Sequence, residues 1–245
     1  MKLNRICAAL AATSSLWLVS FAAHAFMFTP TEAEWATWPD MCKARYARTR
    51  IGTGSTFGSD VPPAMVELWQ AQLGPAWNYV HHHCAGMIYL DRAKLEPNPQ
   101  QRKFLLNRSI SEHNFALEHT PPTNPLVAEI RTQMGLTLRE AGDMTKADEQ
   151  FDQALKVNPA YGGAYVGKAM LRRDAGKVDD AIAVLRKGNQ VAEGKSPEIS
   201  HFLALLLLQQ GHYEESRTFA RQAYANGYPL PGLRDRLARA GYPLD

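Results

Sequence analysis

Sustained alternation of apolar and polar residues is missing from this chain, and with it the signature of half-buried strands; an all-helical fold is expected. Long apolar runs are missing once the first residues are passed. Beyond residue 25 the longest is Phe202 to Leu208, far too short to cross a bilayer. An excess of one charge is also absent: 27 Lys and Arg stand against 24 Asp and Glu, and Lys2 and Arg5 fall in the leader described below. So even a balance leaves no electrostatic footprint for nucleic acid. The common catalytic signatures are absent too. There is no Gly-x-Ser-x-Gly elbow, no His-Glu-x-x-His pair and no dinucleotide fingerprint. Gly52, Gly54 and Gly58 are followed by no Gly-Lys-Ser/Thr, so they form no phosphate loop. No enzyme activity and no cofactor are expected.

The first 25 residues have the pattern of a secretory signal. Lys2 and Arg5 precede an apolar stretch from Ile6 to Ala23, and Ala23-His24-Ala25 has small residues before a cleavage point. Cleavage after Ala25 is expected, giving a product in the periplasm or secreted, with no stable membrane insertion. Cys7 lacks the Leu-small-small context of a lipoprotein signal. Two cysteines then remain, Cys42 and Cys84, and an even count in an exported chain points to a disulfide between them. The closed loop would span about 40 residues, worth roughly 4 kcal/mol on the chain-entropy model.

Three glycines set the frame of the rest. Gly142, Gly176 and Gly211 recur at intervals of 34 and 35 residues. Each is followed at a fixed offset by a small residue, Ala147, Ala181 or Ser216, and preceded seven residues earlier by Gly135, Ala169 or Ala204. A repeat of this length means stacked helical hairpins, each glycine ending one helix and reversing the chain. Helix pairs are predicted near 126–141 and 144–157, 161–175 and 178–191, and 197–210 and 213–225, with a last helix over 231–240. Upstream, prolines punctuate further helices: about 31–47 with a break at Pro39, a short one from Pro62-Pro63, a long one over 76–95 and another over 100–119. Residues 48–61, rich in Gly, Ser and Thr, are expected to be a flexible loop.

The segment Ala128 to Tyr161 resembles a tetratricopeptide repeat, carrying Met134-Gly135, Leu138, Gly142, Met144, Ala147, Phe151, Ala154-Leu155 and Pro159 in family order. The next unit is similar but departs at Lys168, Arg172 and Gly188, and the third has Ser216 where alanine is usual. The resemblance implies a right-handed superhelical stack of helix-turn-helix hairpins: three clear repeats, a degenerate fourth and a C-terminal capping helix. The chain then divides into a signal peptide (1–25), an N-terminal helical cap (26–75), the degenerate hairpin (76–125) and the repeats with their capping helix (126–245). The chain also resembles a group of exported proteobacterial proteins of this family. They share a Trp-Pro-x-x-Cys segment, here Trp38 to Cys42, and a Trp/His/Cys helix, here Trp77 to Cys84. That likeness implies no defined activity.

By the same resemblance the first helix of each pair lines a concave groove. Its candidate partner-binding residues are Thr132, Leu136 and Arg139, then Val166, Met170 and Arg173, then His201 and Leu205. Arg139 and Arg173 fall at equivalent places and either present two forks to an acidic ligand or pair with local acids such as Glu140, Asp143 or Asp174. A protein or peptide partner in the cell envelope is the expected ligand, with the chain acting as an adapter or assembly factor.

His81-His82-His83-Cys84 is the one local cluster with metal-ligand residue types. Consecutive helical residues point about 100° apart, so three adjacent histidines cannot converge on one ion. His81 and Cys84 share a face, and His113 on the next helix supplies a conceivable third ligand for a metal-binding or redox-linked accessory role. That site competes with the disulfide for Cys84. Thiol counting under non-reducing, denaturing conditions separates them: no free thiol is expected in the exported protein, and two free thiols would restore the metal or redox reading.

Overall fold

The structure, a computed structural model, describes residues 29–244. The leader expected over 1–25 lies outside them. The described residues form helices and turns, with no strand among them.

Four short helices build an N-terminal cap: α1 (Glu32–Thr37), α2 (Asp40–Tyr46), α3 (Thr56–Ser59) and α4 (Pro63–Leu73). Thr31 starts α1 with a capping box, its hydroxyl accepting from the Glu34 amide while Glu34 accepts from the Thr31 amide. Pro39 separates α1 from α2, as its missing N–H and fixed φ require. Trp35, Trp38, Tyr46 and Phe57 form an aromatic cluster at centroid distances of 5.1–6.0 Å, with Tyr46 edge to face against both tryptophans. The stretch 48–61 is not an open loop. It holds a 3₁₀ turn at Gly52–Gly54 and then α3. Gly52 lies so close to the Tyr46 carbonyl that a Cβ there would sit 1.9 Å from the oxygen, so the composition that predicted flexibility instead permits close packing.

A 3₁₀ turn (Gly74–Asn78) leads into α5 (Val80–Leu95), which pairs with α6 (Pro99–His119). Polar and covalent links fix the cap to this hairpin and to the turn before it. Cys42 of α2 and Cys84 of α5 form a disulfide with Cα atoms 5.5 Å apart. Arg92 holds both oxygens of Glu34, Nε at 2.6 Å and Nη2 at 2.9 Å. Arg45 donates from Nε to the Trp77 carbonyl at 3.0 Å.

Three hairpins follow: α7 (Leu126–Glu140) with α8 (Met144–Val157), α9 (Gly162–Asp174) with α10 (Val178–Val191), and α11 (Pro197–Gln209) with α12 (Tyr213–Ala225). A last helix, α13 (Gly232–Arg239), closes the stack, its Leu233 and Leu237 buried against Ala204 and Ala220. The first helices of successive hairpins touch each other, α7 on α9 and α9 on α11. Gly142, Gly176 and Gly211 have φ of 86°, 74° and 79°. The residue after each donates its amide to a carbonyl five positions back: Asp143 to Leu138, Lys177 to Arg172 and His212 to Leu207, all at 2.9 Å. This is the Schellman closure of a helix, which only a left-handed residue completes.

Phe151 sits at the junction of the first two hairpins with no exposure. A Cβ on Gly135 would come within 2.6 Å of its ring, and one on Gly167 within 2.4 Å. The ring therefore fills space that two glycines on α7 and α9 leave open. Gly188, a departure from the family pattern, has the same cause: a Cβ there would meet the Tyr165 ring at 2.5 Å. Ser216, the other departure, turns its hydroxyl onto the Ala204 carbonyl at 2.7 Å.

Replacing Phe151 with Ala is expected to destabilise the protein by about 3–5 kcal/mol in urea unfolding. Phe104→Ala, at a site 55% exposed, is expected to change it by no more than about 0.5 kcal/mol.

Candidate functional site: the concave face and the buried histidines behind it

The sequence-predicted groove residues lie on α7, α9 and α11, and the structure treats them differently. Thr132 is buried and donates its hydroxyl to the Ala128 carbonyl at 2.8 Å, so it supports the helix and does not line a groove. Leu136, Val166, Met170, His201 and Leu205 are half-buried. His201 stacks on Tyr228 with centroids 3.8 Å apart, and Leu205 packs into the apolar cluster around α13. The third layer is thus partly covered by the C-terminal segment.

Arg139 and Arg173 both turn to one acid. Arg139 donates from Nε to Asp174 Oδ2 at 2.6 Å, and Arg173 from Nη2 to Oδ1 at 3.1 Å. Burial raises the Asp174 pKa, but hydrogen bonds and charge from the two guanidinium groups outweigh it and hold the carboxyl below its usual range. Arg173 also lies over the Phe202 ring, 5.6 Å from its centroid. Both arginines have a local partner, but two cations share one carboxylate, so this edge of the face keeps a positive excess. On the outer side, the two departures from the repeat pattern on α9 form an ion network with α8: Lys168 reaches Asp148 at 2.6 Å and Asp152 at 2.8 Å, and Arg172 reaches Asp148 at 3.1 Å.

The opposite edge is acidic. Glu129 opens α7 and Glu198 opens α11, with Gly163 at the intervening position on α9. Tyr161 lies over Gly163, where a Cβ would be 3.1 Å from its ring. Burial first, then the Glu129 and Glu198 charges, push the Tyr161 phenol up.

The His-His-His-Cys run does not form a site. Cys84 is bonded to Cys42, and His113 meets His83 and not His81, so the alternative ligand set His81, Cys84 and His113 is not brought together. His82 and His83 turn inward to other helices. His82 Nδ1–H donates to Glu112 Oε2 at 2.7 Å, and Arg108 holds the other oxygen at 2.6 Å. His83, fully buried, lies 3.3 Å from both Glu129 Oε1 and His113 Nδ1. Since the carboxylate accepts, His83 Nε2–H donates to Glu129, and His113 Nδ1–H completes the chain by donating to His83 Nδ1. His113 fits only because Gly86 has no side chain: a Cβ there would be 2.6 Å from its ring. Burial, then the neighbouring His83, hold the His113 pKa well below its usual value. His81 is pushed down to about 3, by burial and then by His82 and Arg45. The sequence pointed to the right run of residues. It did not reveal Glu112 and Glu129 as their partners, which lie on other helices 30 and 46 residues away.

Residues 132–190 match the tetratricopeptide repeat family model. Tetratricopeptide repeat protein 36 of Danio rerio is 32% identical over 96 residues, covering 38% of this chain and 51% of the relative. The chain thus spans about half the length of the curated relative it matches. Two solved structures are also similar. MamA is 17% identical, with 61% of this chain and 90% of that chain covered and a TM-score of 0.39. A thermophilic tetratricopeptide repeat protein of Thermus thermophilus is 22% identical, with 70% and 97% covered and a TM-score of 0.40. Residues 132–190 are thus similar to tetratricopeptide repeats, a family whose general role is to bind other proteins and whose members typically serve as non-catalytic scaffolds. No helix of the described residues is long and apolar enough to cross a membrane.

The buried histidines make stability depend on pH. His113 is held neutral in the fold, whereas the unfolded chain takes up its proton near 6.5. Below that pH the unfolded state binds more protons, so stability is full above about pH 6.5 and falls on acidification. The slope contributed by His113 approaches about 1.4 kcal/mol per pH unit. Urea unfolding between pH 7.5 and 5 is expected to show this loss, and His113→Leu to reduce its slope.

Proposed function

We propose that this chain is an exported adapter or assembly factor of the cell envelope that binds a protein or peptide partner on its concave face. The leader pattern at 1–25 and the Cys42–Cys84 pair support export. The general role of tetratricopeptide repeats supports the binding activity. The observation that carries the site is the convergence of Arg139 and Arg173, from successive layers, on the single carboxylate of Asp174. An arrangement of two guanidinium groups and one carboxylate is incompletely neutralised, and the forks are already oriented by the acid they share. A partner carboxylate approaching this edge finds net positive charge and aligned donors at little cost in side-chain entropy. Leu136, Val166 and Met170 beside it offer half-buried apolar contact.

The double replacement of Arg139 and Arg173 with Ala is expected to reduce recovery of the native partner in envelope pull-downs by about tenfold or more, with the melting temperature near wild type. Asp174→Asn, which frees both guanidinium groups, is expected to raise recovery of a carboxylate-bearing partner. Unchanged recovery in the double variant would overturn the groove assignment. N-terminal sequencing of the protein from the envelope fraction is expected to begin at Phe26; recovery only in the cytosol with Met1 in place would overturn export.

A further inference from the structure

Between the cap and the first repeat lies a cleft of about 430 Å³ at the acidic edge of the concave face. Its walls come from four elements: Met41 of α2, Trp69 of α4, Leu126 of α7 and Tyr161 just before α9. Glu129 is the one ionised side chain among the described residues that line it. His83 holds Glu129 Oε1 from behind, at 3.3 Å, while Oε2 takes no hydrogen bond from another described residue. No Lys or Arg of the described residues pairs with Glu129, nor with Glu198, which accepts only from the Ser196 hydroxyl. Glu129 is only 28% exposed, and the similarly or more buried Glu34, Glu112, Glu140, Asp148 and Asp174 all have arginine partners.

The chemistry of these walls selects the occupant. A cation in the cleft gains the Glu129 charge at reduced dielectric and the ring faces of Trp69 and Tyr161. The methylene stem of a long basic side chain covers Met41 and Leu126 while its head reaches the carboxylate. A neutral or anionic occupant would instead shield Glu129 from water without compensating it. We propose that this cleft receives a lysine or arginine side chain from an extended segment of the partner protein, with Glu129 as its counter-ion and Trp69 and Tyr161 as its ring walls. The inference rests on the reading of the concave face as a peptide groove and adds the chemistry of one partner side chain. The same segment would carry its acidic group toward Arg139 and Arg173 and its basic group toward Glu129, which fixes its orientation across the groove.

A randomised short-peptide display library panned on the mature protein tests this. The expected result is enrichment of Lys or Arg at one peptide position. The best basic peptide is expected to bind Glu129→Gln about tenfold more weakly than wild type, while its norleucine counterpart binds both equally. Glutamine preserves a hydrogen-bond acceptor for His83. If Glu129→Gln nevertheless lowers the melting temperature, Trp69→Leu serves as the second variant and is expected to weaken the basic peptide more than the norleucine one. Selected peptides that depend on Arg139 and Arg173 but show no basic position would overturn this inference and leave the groove intact. Recovery of no peptide at all would overturn both.

Discussion

The packing of one aromatic ring between two glycines sets the geometry on which the concave face depends. Phe151 projects from α8 into a gap that exists only because Gly135 on α7 and Gly167 on α9 have no side chains. Close packing of this kind tolerates little change of volume. It fixes how near α7 and α9 approach, and that distance brings Arg139 of one helix and Asp174 of the other within hydrogen-bonding reach. The ion cluster on the face is therefore a consequence of the core beneath it. The Lys168–Asp148–Arg172 network on the outer side bridges the same pair of hairpins from the other direction.

Charge is divided across the face in the same way that the helices are divided into ends. Glu129 and Glu198 lie in the first turns of α7 and α11, where the helix dipole favours acids. Arg139 and Arg173 lie in the last turns of α7 and α9, where it favours bases. Because the first helices of the repeats run side by side in one direction, acids that suit one end form an acidic edge and bases that suit the other form a basic one. An electrostatic polarity useful for recognition thus arises from residues that are also well placed for their own helices.

The architecture was legible because its signals are local. A left-handed residue at Gly142, Gly176 or Gly211 is needed whatever surrounds it, so the period of the turns shows directly in the sequence. The contents of the face were less legible because they depend on pairs distant in the chain. Arg139 and Asp174 are 35 residues apart, and sequence alone left open whether the arginines meet a ligand or an acid. Thr132 has the spacing of a groove residue, yet its hydroxyl is turned into the helix. The histidine run looked like a metal-ligand motif because four such residues are adjacent, but adjacency on a helix disperses side chains. His82 and His83 go to separate acids on α6 and α7. The stretch 48–61 failed for a related reason: glycine permits both a loose loop and a tight contact, and only the Tyr46 carbonyl decides between them.

The capping helix α13 also acts as a ruler. It covers Leu205 and, with Tyr228 on His201, closes the far end of the concave face, while the N-terminal cap closes the near end with Met41 and Trp69. Three first helices, α7, α9 and α11, lie between these stops. Packed helices stand about 8–10 Å apart, so the trough runs for about 16–20 Å. At about 3.3 Å per residue that length accommodates five or six residues of extended chain. A longer segment has to leave the trough at one of its ends, so on the proposed reading of this face the two caps set the length of the segment it would bind.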